Sequence, residues 1–92
     1  MPNLNYPLSF SDQADTFRRK LSNPEDYALL VSDLEEIATN PSVDNESIFD
    51  HPEGRIAWTE RFRIVFSVGP NLFVHTIDRR GPTPRVDEPL GL

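Results

Sequence analysis

Apolar and polar positions alternate with two different periods along this chain. Leu4, Tyr6, Leu8 and Phe10 alternate with Asn3, Asn5, Pro7 and Ser9, the period of two that predicts a half-buried strand. Pro7 has no N–H to give to a ladder, so this strand belongs at a sheet edge. From Phe10 the period lengthens: Phe10, Ala14, Phe17 and Leu21 recur at helical spacing. Ser9 or Ser11 offers an N-cap, Asp12 sits in the first turn, and Arg18, Arg19 and Lys20 close the last turn where cations complement the helix dipole. A first helix over about 11–21 follows. Asn23-Pro24-Glu25-Asp26 is a second start signal, a capping Asn followed by Pro at the first helical position and two acids. Tyr27, Leu30, Val31, Leu34, Ile37 and Ala38 then form one apolar stripe, which Asn40-Pro41 ends. With only two or three residues between them, the helices should form an antiparallel hairpin.

The second half returns to the shorter period. Residues 40–54 read as a loop, with Ile48 and Phe49 as anchors into the core. Arg55 to Thr59 suits a strand on which Ile56 and Trp58 face the core. Phe62, Ile64, Phe66 and Val68 alternate with Arg61, Arg63, Val65 and Ser67, the clearest strand pattern in the chain. Gly69-Pro70-Asn71 turns it, and Leu72 to Asp78 returns as its partner. Gly81-Pro82-Thr83-Pro84 stops regular structure, leaving 82–92 as a flexible tail. The order β-α-α-β-β-β, with a small antiparallel sheet packed against an N-terminal helical hairpin, makes a single α+β domain over 1–81.

Composition sets limits on this picture. Ninety-two residues support one modest core, and 37% apolar residues place the chain among globular proteins. The absence of cysteine excludes a disulfide framework and a Cys-based zinc site. No apolar run is long enough to span a membrane and no secretory signal pattern opens the chain, so a soluble, cytoplasmic protein is expected. The formal net charge of −6 argues against a nucleic-acid partner, but the charges are segregated. From Leu21 to Glu53 there are nine acidic residues and no Lys or Arg, whereas Gly54 to Val86 carries six arginines against Glu60 and Asp78. A chain acidic overall therefore presents an arginine-bearing sheet.

Several local patterns resemble the RelE/ParE superfamily of toxins from toxin–antitoxin systems. SFSDQADTFRRKL resembles the family's first strand leading into its first helix. SIFDHPEGRIAWTERFRIVFSV resembles its loop, a strand opened by a basic residue, and its core strand, here Phe62-Arg63-Ile64-Val65-Phe66. LFVHTIDRR resembles the last strand running into arginines. The resemblance covers about residues 4–81 and implies a bacterial toxin neutralised by a cognate antitoxin. RelE-like members cut messenger RNA in the ribosomal A site, using a basic sheet surface that stabilises the phosphorane formed by attack of the 2′-hydroxyl. By position, Arg63 resembles the core-strand arginine, Arg79 or Arg80 the arginine after the last strand, and Arg55 the basic residue opening the second strand. Guanidinium forks suit that chemistry because they meet developing phosphoryl charge bidentately. The chain departs from the pattern in three places. Its only lysine, Lys20, is far from the second strand, the loop Asp50-His51-Pro52-Glu53 is acidic, and no tyrosine follows Tyr27. ParE-type relatives lack the nuclease set and act on DNA gyrase by protein contact, which the missing groups fit.

The candidate catalytic residues implied by the resemblance are thus Arg63, Arg79 and Arg80, and the candidates for binding RNA or a partner are Arg55, Arg61, Trp58, His75 and Arg85. Each has a plainer role beside the functional one. Arg63 is balanced by Glu60 or Asp78, Arg55 by Glu53, and Arg79-Arg80 are solvated at a strand end. Trp58 belongs to the core, although beside arginines it can stack on a base. His75, grouped by alternation with Phe73 and Ile77, is a packing residue. His51 between Asp50 and Glu53 is too short a cluster for a metal, and no cofactor is expected. No catalytic triad, Gly-rich phosphate loop or helical His pair occurs, so an enzymatic role rests on the resemblance alone. The alternative is a non-enzymatic interaction domain on a degenerate toxin fold.

Overall fold

A computed structural model describes residues 5–80. Leu4, the tail 82–92 and Arg85 lie outside the described residues. The elements run β1 (Leu8–Phe10), α1 (Asp12–Arg19), α2 (Pro24–Thr39), β2 (Ile48–His51), β3 (Gly54–Trp58), β4 (Phe62–Val68) and β5 (Leu72–Arg79).

Both helices begin where their capping residues stand. Ser11 Oγ accepts from the Ala14 N–H at 3.1 Å, and Asn23 Oδ1 accepts from the Glu25 N–H at 2.8 Å, each satisfying a donor that the first turn leaves free. Asp12 and Asp15 open α1 and Arg18 and Arg19 close it, in the sense the helix dipole favours.

The five strands form one sheet in the order β1-β5-β4-β3-β2. The expected all-antiparallel sheet is mixed, because β1 pairs parallel with β5, Leu8 beside Leu72 and Phe10 beside Val74. β1 does lie at an edge, with Pro7 just outside it. The stretch read as a loop contains a strand. β2 pairs antiparallel with β3 through a hairpin over His51–Gly54, and Gly54 makes that hairpin possible. Its φ is +136°, and a Cβ there would stand 2.4 Å from the Phe66 carbonyl oxygen. Only glycine takes that backbone without strain.

One face of the sheet packs on the helices. Ile48, Ala57, Ile64 and Ile77 form a cross-strand row, covered by Ala14 of α1 and Leu30, Leu34 and Ile37 of α2. Phe62, Ile64, Phe66, Leu72, Val74 and Ile77 are wholly buried, each contributing roughly 1.5–3 kcal/mol of transfer free energy. Phe17 meets Phe62 edge-to-face at 6.0 Å. Beyond Val74, β5 has outrun the three residues of β1, and α1 supplies the missing partners. Ser11 donates to the Val74 and His75 carbonyls, and the Gln13 amide both donates to and accepts from the backbone of Ile77. A sheet edge that would otherwise be open is thereby closed.

The opposite face carries residues the alternation assigned elsewhere. Because Ala57 points to the helices, Ile56 and Trp58 point away, and Trp58 is 37% exposed instead of buried in the core. Phe49, directly across from Ile56, shares this outer face and is 52% exposed, so of the two expected anchors only Ile48 enters the core. A β-bulge between the Val65–Thr76 and Phe66–Val74 pairs leaves His75 as an extra residue. The bulge resets the alternation, so His75 faces away from Ile77 and packs with Phe73 alone.

Candidate functional site: the arginine-bearing sheet

The strand register places the arginines first. Arg63 stands on β4 between Trp58 of β3 and Asp78 of β5, on the outer face. The next pair along, Phe62 with Arg79, faces the helices. Arg63 and Arg79 therefore project from opposite faces of the sheet, and no single surface gathers the candidate catalytic arginines.

Each arginine also has an intramolecular partner. Arg63 Nη2 donates to Asp78 Oδ2 at 2.6 Å across the strand pair. Asp26, at the third position of α2 and only 7% exposed, accepts from Arg61 Nη1 at 2.5 Å and from Arg79 Nη2 at 3.0 Å. Those two hydrogen bonds, Arg61's the stronger influence, hold the Asp26 carboxyl below the usual carboxylate range despite its burial, and Asp26 in turn raises the Arg61 guanidinium. One carboxylate thus ties the start of α2 to the turn just before β4 and to the end of β5. Arg79 also lies over the Phe62 ring at 5.9 Å. Arg55 donates to the Pro41 carbonyl at 2.9 Å. Arg80 donates to the Thr59 carbonyl at 2.7 Å, with its guanidinium 5.7 Å from the Trp58 ring centre. The tryptophan expected in the core thus lies on the outer face, where the chain's own arginine already stacks on it.

The remaining candidates are equally engaged. His75 Nε2 lies 3.0 Å from Ser67 Oγ, and its ring stands edge-on to Phe73 at 4.8 Å. His51 Nδ1 accepts from the Glu53 N–H. Among the described residues no group of three His, Cys, Asp or Glu side chains is arranged to hold a metal ion, and no helix is long and apolar enough to cross a membrane.

The sequence offered Asp78 as one of two partners for Arg63, which the structure bears out, but gave no sign of the acid that holds Arg61 and Arg79. Asp26 reads as an ordinary first-turn acid, and its arginines are 35 and 53 residues away. Between α2 and β3 a cleft of about 260 Å³ brings Asp33, Glu36 and Glu60 beside Trp58 and Arg80. Burial, with help from Glu36 and Glu60, pushes the Asp33 carboxyl up, although a hydrogen bond from Thr59 opposes the shift. Such a cleft repels phosphate.

No protein-family model matches the chain, and no curated protein matches it by sequence. Among solved structures, the RelBE2 toxin–antitoxin complex of Mycobacterium tuberculosis contains a chain that superposes with a TM-score of 0.69 at 15% identity, over 86% of this chain and 95% of that one. A chain of the intact Escherichia coli RelBE toxin–antitoxin complex superposes with a TM-score of 0.63 at 22% identity, over 87% and 99%. Two capped helices on one face of a five-stranded sheet, closed by a parallel edge strand, thus make this chain a protein of RelE-like toxin fold.

Proposed function

We propose that this protein is a toxin of a bacterial toxin–antitoxin pair, neutralised by a small antitoxin, and that it acts in the cytoplasm by contact with a protein target and not by cutting RNA. The observation that carries this reading is the engagement of all five arginines between positions 55 and 80, three with carboxylates and two with backbone carbonyls. Stabilising a phosphorane requires cationic groups aimed at the developing charge and not already compensated. Here the carboxylates of Asp26 and Asp78 compensate Arg61, Arg63 and Arg79, Arg55 and Arg80 are spent on backbone carbonyls, and the acidic cleft beside Arg80 adds charge of the wrong sign. The lysines and the late tyrosine of RelE-type nucleases have no counterpart in this sequence.

The decisive experiment is ribosome-programmed mRNA cleavage by the wild type and by Arg63→Ala. No cleavage above background is expected from either. Cleavage by the wild type that Arg63→Ala abolishes would overturn the proposal. In parallel, expression should arrest growth, and co-expression of a short adjacent reading frame should relieve the arrest. A supercoiling assay tests DNA gyrase as the target, with inhibition by the wild type the expected result.

A further inference from the structure

The turn between β3 and β4, Thr59-Glu60-Arg61, meets α2 with two opposite signs. Arg61 is drawn to Asp26 in the first turn of the helix. Asp33, seven residues on, returns to the same face of α2 and lines the cleft of about 260 Å³ in which Glu36 and Glu60 also stand. Three carboxylates therefore share one cleft, two from the helix and one from the turn. Among the described residues the only cation at its wall is Arg80, from the end of β5, and Arg80 gives its Nη1 to the Thr59 carbonyl. The loop before β2 contributes only the uncharged Asn45 and Ser47, and neither His51 nor His75 lines the cleft.

We propose that this cleft is a pH-sensitive switch, which stands open while its carboxylates are charged and closes on Trp58 when they are neutralised. The Asp26 clasp is the pivot. It fastens the first turn of α2 to Arg61 and Arg79, so repulsion about two turns further along is taken up as a gap beside the helix. Two carboxylates of one helix then titrate in reverse order. Burial above all, with Glu36 and Glu60, pushes Asp33 above the ordinary value of 3.8 against the pull of Thr59, while the two arginines hold Asp26 below it. A raised folded pKa means that the charged form costs the fold, a cost present at neutral pH and removed as pH falls through the folded value. On acidification Asp33 thus takes its proton before the clasp lets go. Between the two titrations α2 is latched and less repelled, and closure withdraws apolar surface of Trp58 from water. What the switch controls is how much of Trp58 a partner can reach.

Trp58 is the only tryptophan of the chain, so its quenching by acrylamide, an uncharged probe, reads the cleft directly. The full chain is titrated from neutral pH to about pH 4 with far-UV circular dichroism recorded alongside. The wild type should lose acrylamide quenching with a midpoint above 3.8 and keep its circular dichroism. At neutral pH, about 1 M salt, where the Debye length is about 3 Å, should produce the same loss. Asp33→Asn should start at the low-quenching level and show no step, and Glu60→Gln should move the step to lower pH. Glu35→Gln, in the groove on the other side of α2, should behave as wild type. Unfolding exposes Trp58 and raises quenching, the opposite sign, so a destabilised variant is not mistaken for a closed one. Quenching that stays level or rises while circular dichroism is retained, or a step that persists in Asp33→Asn, would overturn the proposal. Neither result depends on the toxin's target.

Discussion

If Arg63 is a structural cation, removing its partner should release it for phosphate. Asp78→Asn makes that change on the outer face with almost no change in volume. The Arg63–Asp78 pair is short, 2.6 Å, but the side chains are 36% and 41% exposed, so solvent screens it. Exposed pairs of this kind are worth about 0.2–1 kcal/mol, and urea unfolding of the variant should show a loss within that range. The same change frees one guanidinium. One new phosphate contact on single-stranded RNA steepens the dependence of log affinity on log salt by about 0.7, equivalent to about 2.6-fold more affinity lost between 50 and 200 mM salt. Fluorescence anisotropy with a short single-stranded RNA across that salt range measures both quantities. The wild type should bind weakly and with a shallow slope, and Asp78→Asn should bind more tightly and with a steeper one. A wild type that already binds RNA with a steep slope, unaltered by Asp78→Asn, would refute the claim that Asp78 occupies Arg63. A stability loss well above 1 kcal/mol would refute the claim that the pair is solvent-screened.

Two other outcomes follow from the fold. Gly54→Ala forces a left-handed φ on a residue with a Cβ and drives that atom against the Phe66 carbonyl, so chemical denaturation should show a loss of at least about 1–3 kcal/mol, with the β2–β3 hairpin the first segment to exchange its amide protons. The Asp26 clasp sets the acid limb of stability. Because its two arginines hold the folded pKa below the ordinary value of 3.8, its contribution is fully present above that value and is lost as pH falls through the folded pKa. Urea unfolding from neutral pH downward should therefore show the wild type weakening below about pH 4, while Asp26→Asn starts lower at neutral pH and falls less on acidification. Parallel curves for the two proteins would rule the clasp out as the source.

Much of the architecture could be read from local chemistry. Ser11 and Asn23-Pro24 mark both helix starts because their side chains act within one turn, and Phe62, Ile64 and Phe66 mark the central strand because pleating alone decides which way they face. What escaped depends on groups remote in sequence or on a broken count. Ile48 to His51 looked like loop because acids and Pro52 surround it, and only the left-handed Gly54 makes it a hairpin arm. A single inserted residue at the β5 bulge turned His75 to the other face. The candidate site was half legible: the arginines stood out and Asp78 was one of two acids set against Arg63, but Asp26, which engages Arg61 and Arg79, gave no local sign of doing so. Trp58 was placed in the core because alternation identifies two faces without saying which one the helices will cover.

The parallel pairing of β1 with β5 carries a consequence for how the protein comes into being. Residues 64 apart in sequence must meet to complete the sheet, whereas β2, β3 and β4 pair with sequence neighbours. On a ribosome adding roughly 5–20 residues per second, the β2–β3–β4 meander and both helices can form while β5 is still unmade. The edge formed by β1, Ser11 and Gln13 must wait for β5 to emerge. Long-range closure of this kind slows folding, so the nascent chain passes through an interval in which its central strands expose an unpaired edge. During that interval the unpaired edge is open to any extended segment that can add to it.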